Sequence, residues 1–131
     1  MKRTVFALAI VTLFLAGCGA VAQTGFYFTL EKTAVTETTL NLKLTMGNTS
    51  TRSFTVQTVS AKICFKGGIC RDSVPVPLTG EWIVQPGASV VKEITVPYLA
   101  LAGNLLDSVK ITVTGVYQNG MQDTVSSTLQ L

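Results

Sequence analysis

The chain has 131 residues, 47% of them hydrophobic and 13% charged, which suits one domain with a buried core and excludes a disordered chain. It has no histidine, so Ser-His and Cys-His catalytic dyads are excluded and the commonest metal ligand is missing. Ten basic side chains stand against seven acidic ones, without a basic run interleaved with aromatic residues. Nucleic acid is therefore not an expected partner.

The first 17 residues have the three parts of a secretory signal peptide. Lys2 and Arg3 precede the apolar segment 4–16, which is too short to span a bilayer well, and Gly17 is a small residue before the cleavage site. We expect residues 1–17 to be removed. The remaining chain then has eight basic and seven acidic side chains, a net charge of +1.

Leu15-Ala16-Gly17-Cys18 matches the bacterial lipobox at all four positions, and the leader resembles a bacterial lipoprotein signal. The resemblance implies that the Cys18 thiol carries a diacylglycerol and that cleavage precedes Cys18, whose amine is often acylated as well, for example with palmitate. Two or more acyl chains hold a protein on a membrane stably. The alternative is an ordinary signal peptide with a chance cysteine.

A lipid-anchored chain would be extracytoplasmic, and Gly19 in place of aspartate implies the outer membrane if the host is Gram-negative. Residues 18–25 would then be a lipidated tether. Its segment 20–24 reaches only about 15–20 Å when extended, so the domain that follows should sit close to the membrane.

The mature domain begins with two segments in which apolar and polar residues alternate. Phe26 to Leu30 and Leu40 to Met46 each place apolar residues on one face, and residues 47–51 form a turn cluster. The Asn48-Thr49-Ser50 sequon within this cluster is expected to stay unglycosylated in a bacterial lipoprotein. The apolar row of residues 54–65 changes parity, which predicts a β-bulge near Gln57-Thr58.

Two cysteines flank the next turn. A three-residue loop at residues 66–68, with Gly68 left-handed, sets Cys64 opposite Cys70 and Lys62 opposite Asp72. Outside the cytosol this cysteine pair is expected to form a disulfide. A redox or metal-binding pair is the alternative, but no histidine and no Cys-x-x-Cys spacing support it.

Prolines and a Pro-Gly turn then limit where the next strands can lie and where they end. Pro75 and Pro77 restrict their strand to a sheet edge or a loop. Trp82 is expected at a sandwich end or in the core, with contact to a ligand or partner as the alternative. A Pro-Gly turn at residues 85–88 precedes a strand over residues 90–96 that Pro97 ends.

Residues 98–106 are the one candidate helical turn, either a crossover that caps the core or a membrane contact. The last hairpin is predicted to have the three-residue loop 118–120, with Gly120 left-handed. This register sets Val113 opposite Val125 and Val109 opposite Leu129, whereas a two-residue loop would place the two apolar rows on opposite faces.

These short alternating strands predict an all-β fold, an antiparallel immunoglobulin-like β-sandwich of about seven strands over residues 26–131. The sequence has no nucleophile elbow, phosphate loop or metal-ligand cluster, and its carboxylates are scattered. We therefore expect a protein that is not an enzyme, with no catalytic residue, metal or cofactor.

The order of elements also resembles the water-stress-and-hypersensitive-response type of late-embryogenesis-abundant domain. The resemblance rests on the strand 40–50 that ends in Asn and small residues, the strand that ends at Val96-Pro97, the Leu-rich crossover, and residues 109–117 with Gly115 inside them. It implies an immunoglobulin-like sandwich that protects against stress or binds a partner. The chain departs from that family at Thr49, where proline is usual, and in the cysteine hairpin.

The sequence thus predicts a membrane-anchored lipoprotein whose non-catalytic sandwich binds a protein or envelope partner through its strand edges and the Trp82 loop. The alternative is a stress-protective domain that limits aggregation of other proteins during desiccation or cold.

Overall fold

The structure is a computed structural model that describes residues 25–98 and 105–131. Within these ranges the regular structure is entirely β, which confirms the predicted fold class. The eight strands are β1 (Phe26–Val35), β2 (Thr39–Asn48), β3 (Phe54–Phe65), β4 (Cys70–Val76), β5 (Ile83–Val84), β6 (Ser89–Pro97), β7 (Leu106–Tyr117) and β8 (Gln122–Gln130).

The strands form two antiparallel sheets that pack as a sandwich. One sheet has the order β1-β2-β6, and the other has the order β4-β3-β7-β8. The short strand β5 pairs with the beginning of β3, beyond the stretch of β3 that pairs with β4. The central strands β2, β3 and β7 therefore have a neighbour on both sides, and β1, β6, β4, β8 and the short β5 lie at the sheet edges.

Apolar side chains at every second residue of the central strands fill the space between the two sheets. Alternate residues of β2, β3 and β7 are almost fully buried: Leu40, Leu42, Leu44, Met46, Phe54, Ala61, Ile63, Phe65, Val109, Ile111 and Val113. Each large apolar side chain of this kind gains about 1.5–3 kcal/mol on complete burial. The core therefore runs the length of the three central strands.

The predicted β-bulge is confirmed. The register of β3 against β7 shifts between Val56 and Thr58, so Gln57 is the extra residue. Val56 and Val59 both face the core as a result. The Val56 amide donates to the Trp82 carbonyl at 2.9 Å, so the segment leading into β5 is fixed beside the bulge.

The cysteine hairpin has the predicted register next to its loop, and the register then shifts between Ala61 and Ile63. Cys64 lies opposite Cys70, their Cα atoms are 4.0 Å apart, and the two sulfur atoms are bonded. Gly68 has a φ of 92°, as the three-residue loop requires. Lys62 Nζ lies 3.8 Å from Asp72 Oδ1, an ion pair that is exposed to solvent.

The other predicted turns are also confirmed. Gly120 has a φ of 89°, and β7 and β8 pair with Val113 opposite Val125 and Val109 opposite Leu129. The Ala88 amide donates to the Gln85 carbonyl at 3.0 Å across the Pro-Gly turn. The strand that contains Pro75 is an edge strand, as its proline predicted.

Several sequence-based expectations lie outside the described residues. They concern the signal peptide, Cys18, the tether up to residue 24, and residues 99–104 of the expected helical turn. Tyr98 is buried, its ring centroid 6.3 Å from that of Phe65, and Leu106 is the first residue of β7. In the part of the chain that the structure describes, no helix is long and apolar enough to cross a membrane.

Candidate functional site

One depression in the described surface lies at the end of the sandwich where β1 begins. It is an open groove of about 530 Å³, called here the Gly25 groove. The chain start, the β2–β3 loop and the β7–β8 turn contribute its lining: Gly25, Thr49, Ser50, Thr51, Arg52, Tyr117, Asn119, Met121, Gln122 and Asp123.

Asn48 fixes the loop that forms one wall of the groove. Its side chain is buried at the end of β2, and its Nδ2 donates to the Arg52 carbonyl at 2.7 Å and the Val84 carbonyl at 2.9 Å. Its Oδ1 accepts from the Ser50 amide at 3.0 Å. The Gly87 amide donates to the Asn48 carbonyl at 2.7 Å, so one residue holds the β2–β3 loop, β5 and the Pro-Gly turn together.

Tyr117 forms the floor of the groove and joins three strands. Its hydroxyl accepts from the Phe26 amide at 2.8 Å and donates to Asp123 Oδ2 at 3.0 Å. Its ring packs edge-on against Phe54 with centroids 4.8 Å apart. Burial raises the pKa of Tyr117, the Phe26 amide opposes this, and the hydrogen bond and charge of Asp123 add to the increase.

Gly25 is required where the chain passes over this tyrosine. It has a φ of 135°, and a Cβ atom built there would lie 2.6 Å from the Tyr117 hydroxyl oxygen. The Gly25 amide donates to Thr49 Oγ1 at 3.0 Å, and the Thr49 amide donates to the Gly25 carbonyl at 3.0 Å. The start of β1 is thus tied to the wall and the floor of the groove.

The groove offers one cation, one carboxylate and an exposed thioether. Arg52 is exposed and belongs to neither of the two ion pairs found among the described residues, which join Lys43 to Glu31 and Lys62 to Asp72. Asp123 is engaged by Tyr117, and 64% of Met121 is exposed. This combination suits a polar surface with a carboxylate or phosphate for the guanidinium and an apolar contact for the methionine.

Trp82 lies in the core, as the sequence predicted, and little of its surface is left for the alternative role as a partner contact. Only 3% of its surface is exposed, and its Nε1 donates to the Thr79 carbonyl at 3.3 Å. Lys92 Nζ lies 5.9 Å from the ring centroid. Trp82 supports β5 beside the bulge instead of presenting a stacking surface.

The Cys64–Cys70 bridge lies away from the Gly25 groove. Strand β3 begins at Phe54, next to the groove, and ends at Phe65, so the cysteine hairpin is at the opposite end of the sandwich. Among residues 25–98 and 105–131, no three Cys, Asp or Glu side chains are grouped so that they could hold a metal ion.

Sequence reasoning missed the groove because its lining comes from three distant segments. The sequence identifies Asn48 as a residue of a turn cluster and a sequon, and it does not single out Arg52, Tyr117 or Asp123. One signal in the sequence could have indicated the groove. It is the polar cluster that precedes Phe54, together with Tyr117 just before a turn that contains glycine.

No family model and no curated protein matches the chain. A solved structure, that of a Bordetella pertussis protein described as ApaA, is similar with a TM-score of 0.57 and 14% sequence identity. The match covers 82% of this chain and 96% of that chain. At this identity the similarity concerns the sandwich fold alone.

Proposed function

We propose that the protein is an extracytoplasmic lipoprotein whose non-catalytic β-sandwich binds a protein or another envelope component through the Gly25 groove. The observation that carries this proposal is the position of the groove. It is built around Gly25, the residue at which the expected tether meets the domain. Six residues lie between Cys18 and Gly25, and the seven Cα-to-Cα steps span at most about 25 Å when extended, so an anchored chain holds the groove near the membrane surface.

The disulfide supports an extracytoplasmic location of the protein. Disulfides form and persist where thiols are not kept reduced, as in the bacterial periplasm and at cell surfaces. The directly opposed Cys64 and Cys70 of this hairpin are bonded in the structure. An extracytoplasmic location therefore suits both the leader and the folded domain.

The groove chemistry supports binding of a partner. Arginine is enriched among the residues that dominate protein interfaces, and a guanidinium forms bidentate hydrogen bonds with carboxylates and phosphates. Arg52 is exposed on a loop that Asn48 fixes from beneath, so its backbone is already ordered before binding. Thr51 of the same loop is exposed and adds a hydroxyl to the groove lining.

The anchor is tested by metabolic labelling with a palmitate analogue in a bacterial host. The full chain should be labelled and recovered with membranes, and the Cys18→Ser variant should lose the label. Equal labelling of the two chains, or its absence from both, would exclude the lipid anchor at Cys18.

The groove is tested by photo-crosslinking in intact envelopes. A photoreactive amino acid at Thr51 in the groove is compared with the same group at Thr95, an exposed threonine on β6. We expect a discrete adduct from position 51 only, and its loss in the Arg52→Glu variant. Equal adducts from both positions, or none from position 51, would count against a partner in the groove.

A further inference from the structure

The four long edge strands, β1, β4, β6 and β8, differ in how well they are protected against pairing with another chain. Exposed edges are normally blunted by proline, charge, bulges or register irregularities. The first strand has a register shift between Lys32 and Ala34, β4 contains Pro75, and β6 carries adjacent charges and ends at Pro97. Among these four edges, β8 alone has no proline or register shift and carries only a single charge near its beginning.

Strand β8 is regular and nearly uncharged. Its nine residues pair with β7 without a register shift, and none of them is proline, lysine or arginine. Its single charged residue, Asp123, lies near its beginning. A long, regular and neutral edge of this kind is a template for a further strand.

The backbone groups that such a strand would use can be identified. The Leu131 amide donates to the Asp107 carbonyl, and the Tyr117 amide donates to the Met121 carbonyl. Because bonding alternates along an antiparallel strand, the odd-numbered residues of β8 bond to β7 and the even-numbered residues direct their N–H and C=O groups outward. No other strand in the described part of the chain pairs with β8 on that side.

The core is also incompletely covered along this edge. Val125, Leu129 and Leu131 pack against the core but remain half-buried. An added strand that covers them needs apolar residues on the core side and polar residues on the outer side. The β8 strand itself has this pattern, since Val125 and Leu129 face inward and Thr124, Ser126 and Thr128 face outward.

We propose that β8 is a self-association edge, which pairs antiparallel with β8 of a second copy around a two-fold axis at Ser127. This register sets Val125 opposite the partner's Leu129, and Thr124 opposite the partner's Gln130. The outward backbone groups of the even-numbered residues then bond to one another. The two Asp123 carboxylates lie at opposite ends of the paired strands, so no like charges face each other.

The pairing joins two five-stranded sheets into one continuous sheet. One strand pair is a small contact compared with standard protein interfaces, so the dimer forms weakly in dilute solution. It is favoured where copies are concentrated, for example on a membrane. The proposal goes beyond binding in the Gly25 groove and does not depend on the lipid anchor.

A Ser127→Cys variant tests the contact directly. At a non-hydrogen-bonded antiparallel pair the Cα atoms are about 4.5 Å apart, within the range that a disulfide spans. The native Cys64–Cys70 bridge occupies such a directly opposed position, with Cα atoms 4.0 Å apart. The full chain is oxidised in membranes and examined on a non-reducing gel, with the unsubstituted chain reporting any dimer formed through Cys18.

We expect a covalent dimer from Ser127→Cys and no increase over the unsubstituted chain from Thr95→Cys, an exposed position on β6. Equal dimer from the two variants would overturn the proposal. The absence of a covalent dimer from Ser127→Cys would also overturn the proposal. The β8 edge would then pair with an extended segment of another protein or stay unpaired.

The register is tested by charge in the Ser127→Cys background. Thr124→Lys with Gln130→Lys opposes lysines at both ends of the contact and should lower the dimer yield roughly three- to tenfold. Thr124→Glu with Gln130→Lys opposes unlike charges and should restore it. Equal yields from the two double variants, with circular dichroism showing both folded, would exclude this register.

Discussion

At the scale of single residues, the buried amide of Asn48 joins three segments at the groove end of the sandwich. Its Nδ2 satisfies the carbonyls of Arg52 and Val84, which lie 32 residues apart in sequence. Removing a buried hydrogen-bonding group leaves its partners unsatisfied, which costs about 1–3 kcal/mol. The amide therefore contributes to groove geometry and to stability at once.

We expect Asn48→Ala to lower the free energy of unfolding by about 1–3 kcal/mol and to weaken the adduct from position 51. Urea unfolding followed by Trp82 fluorescence measures the stability. For the free energy of unfolding, Asn119→Ala is the matched control, since the Asn119 side chain accepts one exposed hydrogen bond from the Met121 amide at 3.1 Å. A loss no larger than that of the control would contradict the assigned role of Asn48.

Tyr117 makes the free energy of unfolding depend on pH in the alkaline range. Burial holds the pKa of Tyr117 above the ordinary tyrosine value of about 10. The folded state therefore keeps this proton more strongly than the unfolded state does. The resulting stability is present below pH ~10 and is lost as the pH rises through the folded-state pKa.

We expect Tyr117→Phe to be less stable than the wild type at pH 7 by about 1–3 kcal/mol, because the Phe26 amide loses its acceptor. The difference between the two proteins should shrink above pH 10. Urea titrations at pH 7, 9 and 10.5 measure it, and other tyrosines and the lysines cancel in the comparison. A difference that grows with pH would mean that folding lowers the pKa of Tyr117 instead of raising it.

At the scale of strands, two glycines with close neighbours should respond differently to substitution. A Cβ atom at Gly115 in β7 would lie 2.3 Å from the Thr55 carbonyl oxygen, which belongs to the paired strand. A Cβ atom at Gly47 in β2 would lie 2.4 Å from the ring of Tyr27, which is 38% exposed. The first neighbour is backbone and the second is a side chain at the surface.

We expect Gly115→Ala to lower the free energy of unfolding by about 1–3 kcal/mol, because the paired strands must move apart. We expect Gly47→Ala to cost less than about 1 kcal/mol, because Tyr27 can rotate into solvent. Thermal unfolding of both variants tests the contrast. Equal losses would mean that Tyr27 is held in place as firmly as the backbone.

The strand hairpins were predictable because their register depends on neighbouring residues. The parity change around Gln57 predicted the bulge, and the glycines at positions 68 and 120 predicted both three-residue loops. Strand β5 was not predicted, since a two-residue strand has no alternation to detect and depends on its pairing with Phe54 and Thr55. The order of strands within each sheet likewise depends on contacts between distant segments.

At the scale of the whole molecule, the groove and the disulfide occupy opposite ends of the sandwich. The Gly25 groove gathers residues from both ends of the described sequence, so local patterns could not reveal it. The polar residues around it resemble ordinary turn residues when they are considered one by one. Only the packing of the two sheets shows that Arg52, Tyr117 and Asp123 share one surface.

The disulfide joins β3 to β4 within one sheet and does not connect the two sheets. The apolar core should therefore keep the sandwich folded without it. Closing so short a loop contributes roughly 2 kcal/mol. For a domain of this size, that corresponds to a melting temperature lower by about 10 °C.

We expect the Cys64→Ser/Cys70→Ser variant to remain folded at 25 °C, with that loss of melting temperature, and to keep the position-51 adduct. Calorimetry and circular dichroism measure the stability. Lys62→Ala is the control in the same hairpin, and it should change the melting temperature by only a few degrees because its ion pair with Asp72 is exposed. An unfolded double variant would show that the hairpin is needed, together with the core, to hold the sandwich together. An unchanged melting temperature would show that the disulfide adds no stability.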